Sequence, residues 1–90
     1  PIQIEVDTKN QLQECLKQSI DAVLLDNMGP SEIKECIKII KDSNQKIFIE
    51  ASGGITLKTI NKYLIPGVDA ISVGAIIHQA TFKNIKLEHF

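Results

Sequence analysis

Short apolar runs alternate along the chain with longer stretches in which apolar residues recur every three to four positions. The runs occupy residues 3–6, 22–25, 47–49 and 69–73, and their composition predicts β-strands. Helical stripes lie between them, at Leu12, Cys15, Leu16 and Ile20, at Ile33, Cys36, Ile37 and Ile40, and at Leu57, Ile60 and Leu64. Strands that alternate with amphipathic helices predict an α/β protein with a parallel sheet.

Capping and breaking residues support these boundaries. Thr8 opens a capping box before the first helix, and Pro30 suits the first turn of the second. A Pro-Gly pair stops the third helical stripe. After Gly74 the pattern weakens, and we expect a short helical turn through His78 and an extended segment at residues 85–87.

Each predicted strand ends in a carboxylate or a glycine, and the four endings are almost evenly spaced. Glu5 to Asp26 is 21 positions, Asp26 to Glu50 is 24, and Glu50 to Gly74 is 24. A strand, a loop and a helix need about this many residues, so βα units would bring all four endings to one rim. Four βα units are half of an eightfold barrel, and a half-barrel has two open edges. The chain therefore looks like part of something larger.

Composition excludes several classes of function. The 90 residues carry a net charge of −1, which argues against a nucleic-acid partner. No apolar run approaches the length of a membrane span, and Cys15 and Cys36 lie in helical stripes, as reduced buried cysteines do. We expect a cytoplasmic protein. All ten basic residues are lysines, so no arginine is present to grip a planar carboxylate in two places.

Side-chain alternation places three carboxylates on the face that would line the barrel interior. Glu5, Asp26 and Glu50 share this face, and Ser72 and Gly74 point to it from the last strand. Clustered acids bind a divalent cation such as Mg²⁺, accept hydrogen bonds from sugar hydroxyls or stabilise a developing positive charge. The alternative is that each acid is a solvated strand-end residue or a helix cap.

The third and fourth strand endings supply backbone amides without bulky side chains. They are Ser52-Gly53-Gly54 and Val73-Gly74-Ala75. Consecutive glycine-containing strand endings of this kind indicate a phosphate site in barrels, although each alone is typical of a plain turn. His78 lies just after the second loop and either contacts the ligand or has a structural role at a helix end.

These motifs together resemble the C-terminal part of quinolinate phosphoribosyltransferases. The resemblance spans essentially the whole chain and rests on five ordered motifs: Ile4-Glu5-Val6-Asp7, Leu25-Asp26-Asn27-Met28, Glu50-Ala51-Ser52-Gly53-Gly54-Ile55, Gly67-Val68-Asp69 and Ser72-Val73-Gly74-Ala75 with His78. It implies that residues 1–90 are the C-terminal part of the α/β barrel, and that an N-terminal domain and the first barrel strands lie outside them. It also implies a homo-oligomer, at least a dimer.

The resemblance also implies a reaction. Quinolinate and phosphoribosyl pyrophosphate give nicotinate mononucleotide, pyrophosphate and CO₂ with Mg²⁺, in the synthesis of NAD. The acids matching Glu5 and Asp26 lie by the ribose hydroxyls and the metal, and the resemblance implies that they are catalytic, because their negative charge suits an oxocarbenium-like transition state. The residue matching Glu50 lines the same pocket. The loops matching Ser52, Gly53, Gly54 and Gly74, with the adjoining Val73 and Ala75, hold the 5′-phosphate.

Two departures from the family pattern are visible. The arginines and lysines that hold the quinolinate carboxylates belong to the preceding part of family members, and many members have Thr-His-Ser where this chain has Ile77-His78-Gln79. Two alternatives stay open. One is a pyrophosphorylase-like relative linked to molybdenum transport; the other is a non-catalytic phosphate-binding half-barrel that dimerises to close its sheet.

Overall fold

The computed structural model describes residues 1–73, with side chains, and the backbone of residues 76–80 and 85–89. Its elements follow the chain as β1 (Gln3–Val6), α1 (Lys9–Cys15), β2 (Ala22–Asp26), α2 (Pro30–Asp42), β3 (Phe48–Ser52), a 3₁₀ helix (Ile60–Tyr63), β4 (Ala70–Val73), β5 (Ile76–Ala80) and β6 (Ile85–His89). The strands form one sheet in the order of the chain. β1 to β4 are parallel, as the sequence predicts.

Alternation along the strands separates two faces of the sheet. One face is buried under the helices and contributes Val6, Val23, Leu25, Ile49, Ala51, Ile71 and Val73 to a single core. The other, here called the open face, carries Gln3, Glu5, Leu24, Asp26, Phe48, Glu50, Ser52 and Ser72, which are all half-buried or exposed. The predicted division of the strands into a helix-facing side and an interior side is therefore confirmed.

Both predicted helix starts are confirmed. The Thr8 hydroxyl accepts a hydrogen bond from the Gln11 amide at 3.1 Å, and the Gln11 side chain accepts one from the Asp7 amide at 2.7 Å. Pro30 stands in the first turn of α2.

Lys9 of α1 and Glu35 of α2 form an ion pair at 2.6 Å, which raises the pKa of the Lys9 ammonium. In the described part of the chain, no helix is long and apolar enough to cross a membrane.

The first helix is shorter than its apolar stripe predicts. It ends at Cys15, and Ile20 is buried outside it. The Gln45 amide nitrogen donates to the carbonyls of Leu16 and Gln18 at 3.0 and 3.2 Å, and its oxygen accepts from the Ile20 amide at 3.2 Å. A side chain 25 or more positions away thus satisfies groups that a longer helix would pair internally.

The predicted third helix is wrong, because only the single turn Ile60–Tyr63 forms there, as a 3₁₀ helix. Thr56 and Thr59 explain the difference. The Thr59 hydroxyl accepts from the Thr56 amide at 3.0 Å, and the Thr59 amide donates to the Thr56 carbonyl at 3.0 Å. Threonine side chains that bond to the local backbone compete with helix hydrogen bonds.

The final part of the sheet is antiparallel. β4 pairs with β5 and β5 with β6, so the helical turn predicted through His78 is wrong. Ile71 lies opposite His78 in this register, which gives residues 76–80 the backbone partners that an extended strand needs. The extended segment predicted at residues 85–87 is confirmed within β6.

Two aspartates fix the strands at the opposite end of the sheet from the carboxyl rim. Asp21, just before β2, accepts a hydrogen bond from the Ile2 amide at 2.6 Å. Asp69, just before β4, accepts one from the Ile49 amide at 2.8 Å, and its own amide donates to the Ile49 carbonyl at 2.8 Å. Each aspartate therefore replaces a ladder hydrogen bond at the entrance of a strand.

We expect Asp69→Ala to destabilise the fold by about 1–3 kcal/mol, because it leaves the amide of buried Ile49 without its partner. The free energy of unfolding in urea measures this loss. Asp42→Ala, at the exposed end of α2, is the matched control and should change stability by less than about 0.5 kcal/mol. Equal losses in the two variants would contradict this role for Asp69.

The two cysteines are free, as predicted, but only Cys36 is fully buried. Burial, together with the negative charge of Glu32, raises the pKa of the Cys36 thiol to about 11. Its Sγ lies 3.6 Å from the sulfur of Met28 in the core. At neutral pH this thiol is protonated, so it packs as a small apolar side chain rather than acting as a nucleophile.

Candidate functional site

The carboxyl ends of β2, β3 and β4 bring three polar side chains into one row. Asp26 is in register with Ser52, and Glu50 is in register with Ala70. Ser72, two residues after Ala70, therefore continues the row started by Asp26 and Ser52. We call Asp26, Ser52 and Ser72 the rim row. All three are half-buried on the open face.

Two serine–carboxylate hydrogen bonds cross the strands at this rim. The Ser52 hydroxyl donates to Asp26 Oδ1 at 3.2 Å, and the Ser72 hydroxyl donates to Glu50 Oε2 at 2.7 Å. Within the described residues, the second oxygen of each carboxylate accepts no side-chain or backbone hydrogen bond. Each carboxylate is thus oriented through one oxygen, and its other oxygen can accept a hydrogen bond from a hydroxyl of a ligand.

The loop after β3 lies directly against Asp26. A Cβ placed on Gly53 would be 2.7 Å from Asp26 Oδ1 and 2.7 Å from the Asn27 backbone nitrogen. The same amide of Asn27 donates to the Ser52 carbonyl at 2.8 Å, which fastens the β2 and β3 loops together. Only glycine fits at position 53, because the backbone also has a φ of +86° there.

Gly54 continues this loop in a more open position. Its φ is +68°, and a Cβ there would meet only Asn27 Oδ1, at 3.9 Å. Asn27 itself has a φ of +58°, a region that asparagine tolerates better than most residues. Three residues with positive φ, Asn27, Gly53 and Gly54, thus lie in the two loops next to Asp26, and backbone of this kind is common where a ligand approaches closely.

Glu5 lies on the same face, in the same row as Glu50 and two strands away from it, one row below the rim row. The register runs from Glu5 to Leu24 and from Leu24 to Glu50, so the two acids are separated by about 10 Å of sheet, given a strand spacing of ~4.8 Å. Glu5 is exposed. Across the described residues, no three His, Cys, Asp or Glu side chains approach closely enough to hold a metal by themselves.

The remaining predicted site residues lie at the end of β4 and beyond it. Val73 ends β4 and its side chain is buried in the core, so any ligand contact would come from its backbone. Gly74 and Ala75 lie outside the described residues. His78 is described only by its backbone, within β5. The ligand roles of these four residues stay predictions.

An open groove of about 450 Å³ lies at the other end of the sheet. Its walls include Ile40, Lys46, Ile47 and Asp69. It contains none of the predicted site residues. The predicted chemistry is therefore concentrated at the carboxyl rim.

Comparison with known proteins identifies the family of the chain. A family model described as quinolinate phosphoribosyl transferase, C-terminal domain, matches residues 1–88. The chain belongs to this family. A probable carboxylating nicotinate-nucleotide pyrophosphorylase from Methanocaldococcus jannaschii is 38% identical over 97% of the chain, and the human enzyme of that name is 29% identical over 99%.

The fold is shared with a solved member of the quinolinate phosphoribosyl transferases. The structure of the nicotinate-nucleotide pyrophosphorylase from Francisella tularensis matches 96% of this chain with a TM-score of 0.70 and 32% identity. It is matched over 29% of its own length, and the M. jannaschii relative over 32%. The chain thus spans about a third of these relatives, and the likeness supports an α/β fold that forms part of a barrel.

Two features of this quinolinate phosphoribosyl transferase domain have no counterpart among the predicted site residues. Alternation places Ser72 on the open face, but nothing in the sequence shows that it binds Glu50. The second feature is the pair of aspartates that enter β2 and β4. A repeated Asp-Ala dipeptide, at positions 21–22 and 69–70, is the sequence signal that could have revealed it.

Proposed function

We propose that this chain acts as the C-terminal part of an enzyme that transfers a phosphoribosyl group from phosphoribosyl pyrophosphate to quinolinate, with decarboxylation. The products are nicotinate mononucleotide, pyrophosphate and CO₂. The observation that carries the proposal is the junction at which Gly53 lies against the Asp26 carboxylate. It joins an acid suited to ribose with a loop suited to phosphate. The names of the relatives support the same reaction.

The chemistry requires stabilisation of positive charge on the sugar. The bond from C1′ to the pyrophosphate oxygen breaks, the pyridine nitrogen forms a bond to C1′, and a proton replaces the carboxylate lost as CO₂. Positive charge develops at C1′ while the first bond breaks. Asp26 and Glu50, each held by a serine, offer fixed negative charge on the face where the ribose would lie. Preorganised charge of this kind lowers the barrier because it needs no rearrangement during the reaction.

The loop after β3 suits the 5′-phosphate. The Ser52 hydroxyl already donates its hydrogen bond to Asp26, so the donors left for a phosphate are the amides of Gly53 and Gly54. Their positive φ angles and missing side chains let an anion approach the backbone. We propose that the predicted loop of Val73, Gly74 and Ala75 supplies the second set of amides, and that His78 adjoins it.

We propose Mg²⁺ as the metal, held by Glu5 and Asp26 together with ligand and water oxygens. Mg²⁺ binds proteins through one or two carboxylates and completes its coordination with phosphates and water. Glu5 and Asp26, on the neighbouring strands β1 and β2, would supply these carboxylates. When bound, the ion would offset the charge of the pyrophosphate leaving group.

The open face and the outer edge of β1 carry exposed apolar side chains that further parts of the protein would cover. Phe48 is 45% exposed on the open face and Ile2 is 49% exposed next to β1. We propose that the remaining sequence found in the relatives covers these surfaces and provides the basic groups for the quinolinate carboxylates. We further propose that the enzyme is a cytoplasmic homo-oligomer, as the family resemblance implies.

A turnover assay tests this function. The assay uses a chain in which these 90 residues follow the N-terminal part that the relatives have, here called the extended enzyme. We expect quinolinate-dependent release of CO₂ by the extended enzyme and none by residues 1–90 alone. A panel of pyridine acids distinguishes quinolinate from the substrates of a related pyrophosphorylase. Release of CO₂ by the 90 residues alone would overturn the proposed division of labour, and an extended enzyme that binds phosphate without turnover would indicate a binding module.

A further inference from the structure

We infer that Ser72 is a positioning residue, which raises the Glu50 carboxylate to the level of the rim row so that Glu50 and Asp26 act on the same sugar. The inference rests on the proposed function and extends it to a residue without an assigned role. Its basis is the 2.7 Å hydrogen bond from the Ser72 hydroxyl to Glu50 Oε2.

The register explains why Glu50 needs such a partner. Glu50 lies in the row of Leu24 and Ala70, whereas Asp26 lies in the next row towards the carboxyl rim. Residues of successive rows on one face are about 6.6 Å apart along a strand, at ~3.3 Å per residue. A glutamate side chain can cover much of this distance only if it leans along the strand. The bond to Ser72, which belongs to the upper row, holds it in that direction.

The two serine bonds are therefore different in geometry although alike in chemistry. Ser52 and Asp26 are register partners, so their bond runs straight across two strands. Ser72 and Glu50 are diagonal neighbours, so their bond runs across and upward. Each bond holds a carboxylate at the rim, and within the described residues the other oxygen of each carboxylate accepts no hydrogen bond. A ribose with two adjacent hydroxyls could then be held by both acids at once.

Immobilising the Glu50 side chain lowers the entropy cost of binding the ligand. A half-buried glutamate without a partner samples several rotamers, and fixing it costs side-chain entropy when a ligand binds. A hydrogen bond formed during folding removes that cost from the binding step. Ser72 can therefore affect the use of phosphoribosyl pyrophosphate without contacting it.

The test compares variants of the extended enzyme. We expect Ser72→Ala to lower kcat/KM for phosphoribosyl pyrophosphate about tenfold, the equivalent of about 1.4 kcal/mol. The KM for quinolinate should stay unchanged. Ser72→Thr keeps the hydroxyl on a side chain that suits a strand and should restore most of the activity. Ser31→Ala, at an exposed position in the first turn of α2, is the matched control.

A double-mutant cycle with Glu50→Ala separates positioning from general damage. We expect the double variant Ser72→Ala/Glu50→Ala to be no slower than Glu50→Ala alone, because Ser72 acts only through Glu50. Independent, multiplying losses would overturn the inference while leaving the proposed function intact. The inference would also be overturned if Ser72→Thr had the same unfolding midpoint as the unmodified extended enzyme but did not recover its activity. An unmodified extended enzyme without turnover would overturn the proposed function itself, and the inference with it.

Discussion

Gly53→Ala should abolish turnover by the extended enzyme and destabilise the fold by about 3 kcal/mol. Two independent effects combine at this position. The added Cβ would lie 2.7 Å from both Asp26 Oδ1 and the Asn27 backbone nitrogen, and neither position can move without disturbing the rim. The φ of +86° is also strained for any residue with a side chain. Urea unfolding and the turnover assay measure the two effects separately.

Two other glycines, Gly54 and Gly29, supply graded controls for this prediction. Gly54→Ala keeps only the backbone strain, because a Cβ there has open space, and should cost about 1–2 kcal/mol. Gly29→Ala meets nothing within 4 Å and has a φ of −75°, so it should cost less than about 1 kcal/mol. A Gly53→Ala protein with the stability and activity of the Gly29→Ala protein would show that the β3 loop does not lie against Asp26.

Asp26→Asn should reduce kcat about 100- to 1,000-fold with little change in stability. The amide oxygen that replaces Oδ1 can still accept the hydrogen bond from Ser52, so the rim keeps its shape. Only the negative charge is removed, and with it the stabilisation of positive charge at C1′ of the ribose. Steady-state kinetics with saturating phosphoribosyl pyrophosphate and Mg²⁺ measures the loss.

The control for this prediction is Asp42→Asn. It removes one negative charge from the exposed end of α2, away from the rim, and should leave kcat unchanged. The two variants then have the same net charge. If Asp26→Asn retained kcat within about threefold of the control, fixed charge at this position would not contribute to catalysis, because removal of one preorganised electrostatic group at an active site typically costs about 100- to 1,000-fold in kcat.

Local patterns predicted the parts of the fold that depend on local interactions. Alternation along β1 to β3 identified the buried and open faces, since side chains of a strand point to opposite sides wherever the strand is placed. The capping box at Thr8 and the proline at position 30 marked the helix starts, because helix caps also depend only on residues close in the sequence. The Gly53-Gly54 pair marked the end of β3, because glycine breaks a strand wherever the strand is placed.

Features that depend on distant partners were beyond the sequence patterns. Gln45 ends the first helix through contacts with residues far away in the chain, and no periodicity reveals them. The diagonal bond from Ser72 to Glu50 requires the exact register of β3 against β4. The third helix, which does not form as predicted, lies between these two cases. Thr56 and Thr59 are close in the sequence, but the helical spacing of the apolar residues after them hides the turn that they form.

Amide hydrogen exchange in the extended enzyme, with and without phosphoribosyl pyrophosphate and Mg²⁺, tests most directly whether the carboxyl rim binds the substrate. The account predicts that the ligand slows exchange in peptides covering residues 50–55 and 72–75 more than in peptides covering α1 or α2. Slower exchange at the opposite groove around residues 45–49 and 67–69, with none at the rim, would contradict it.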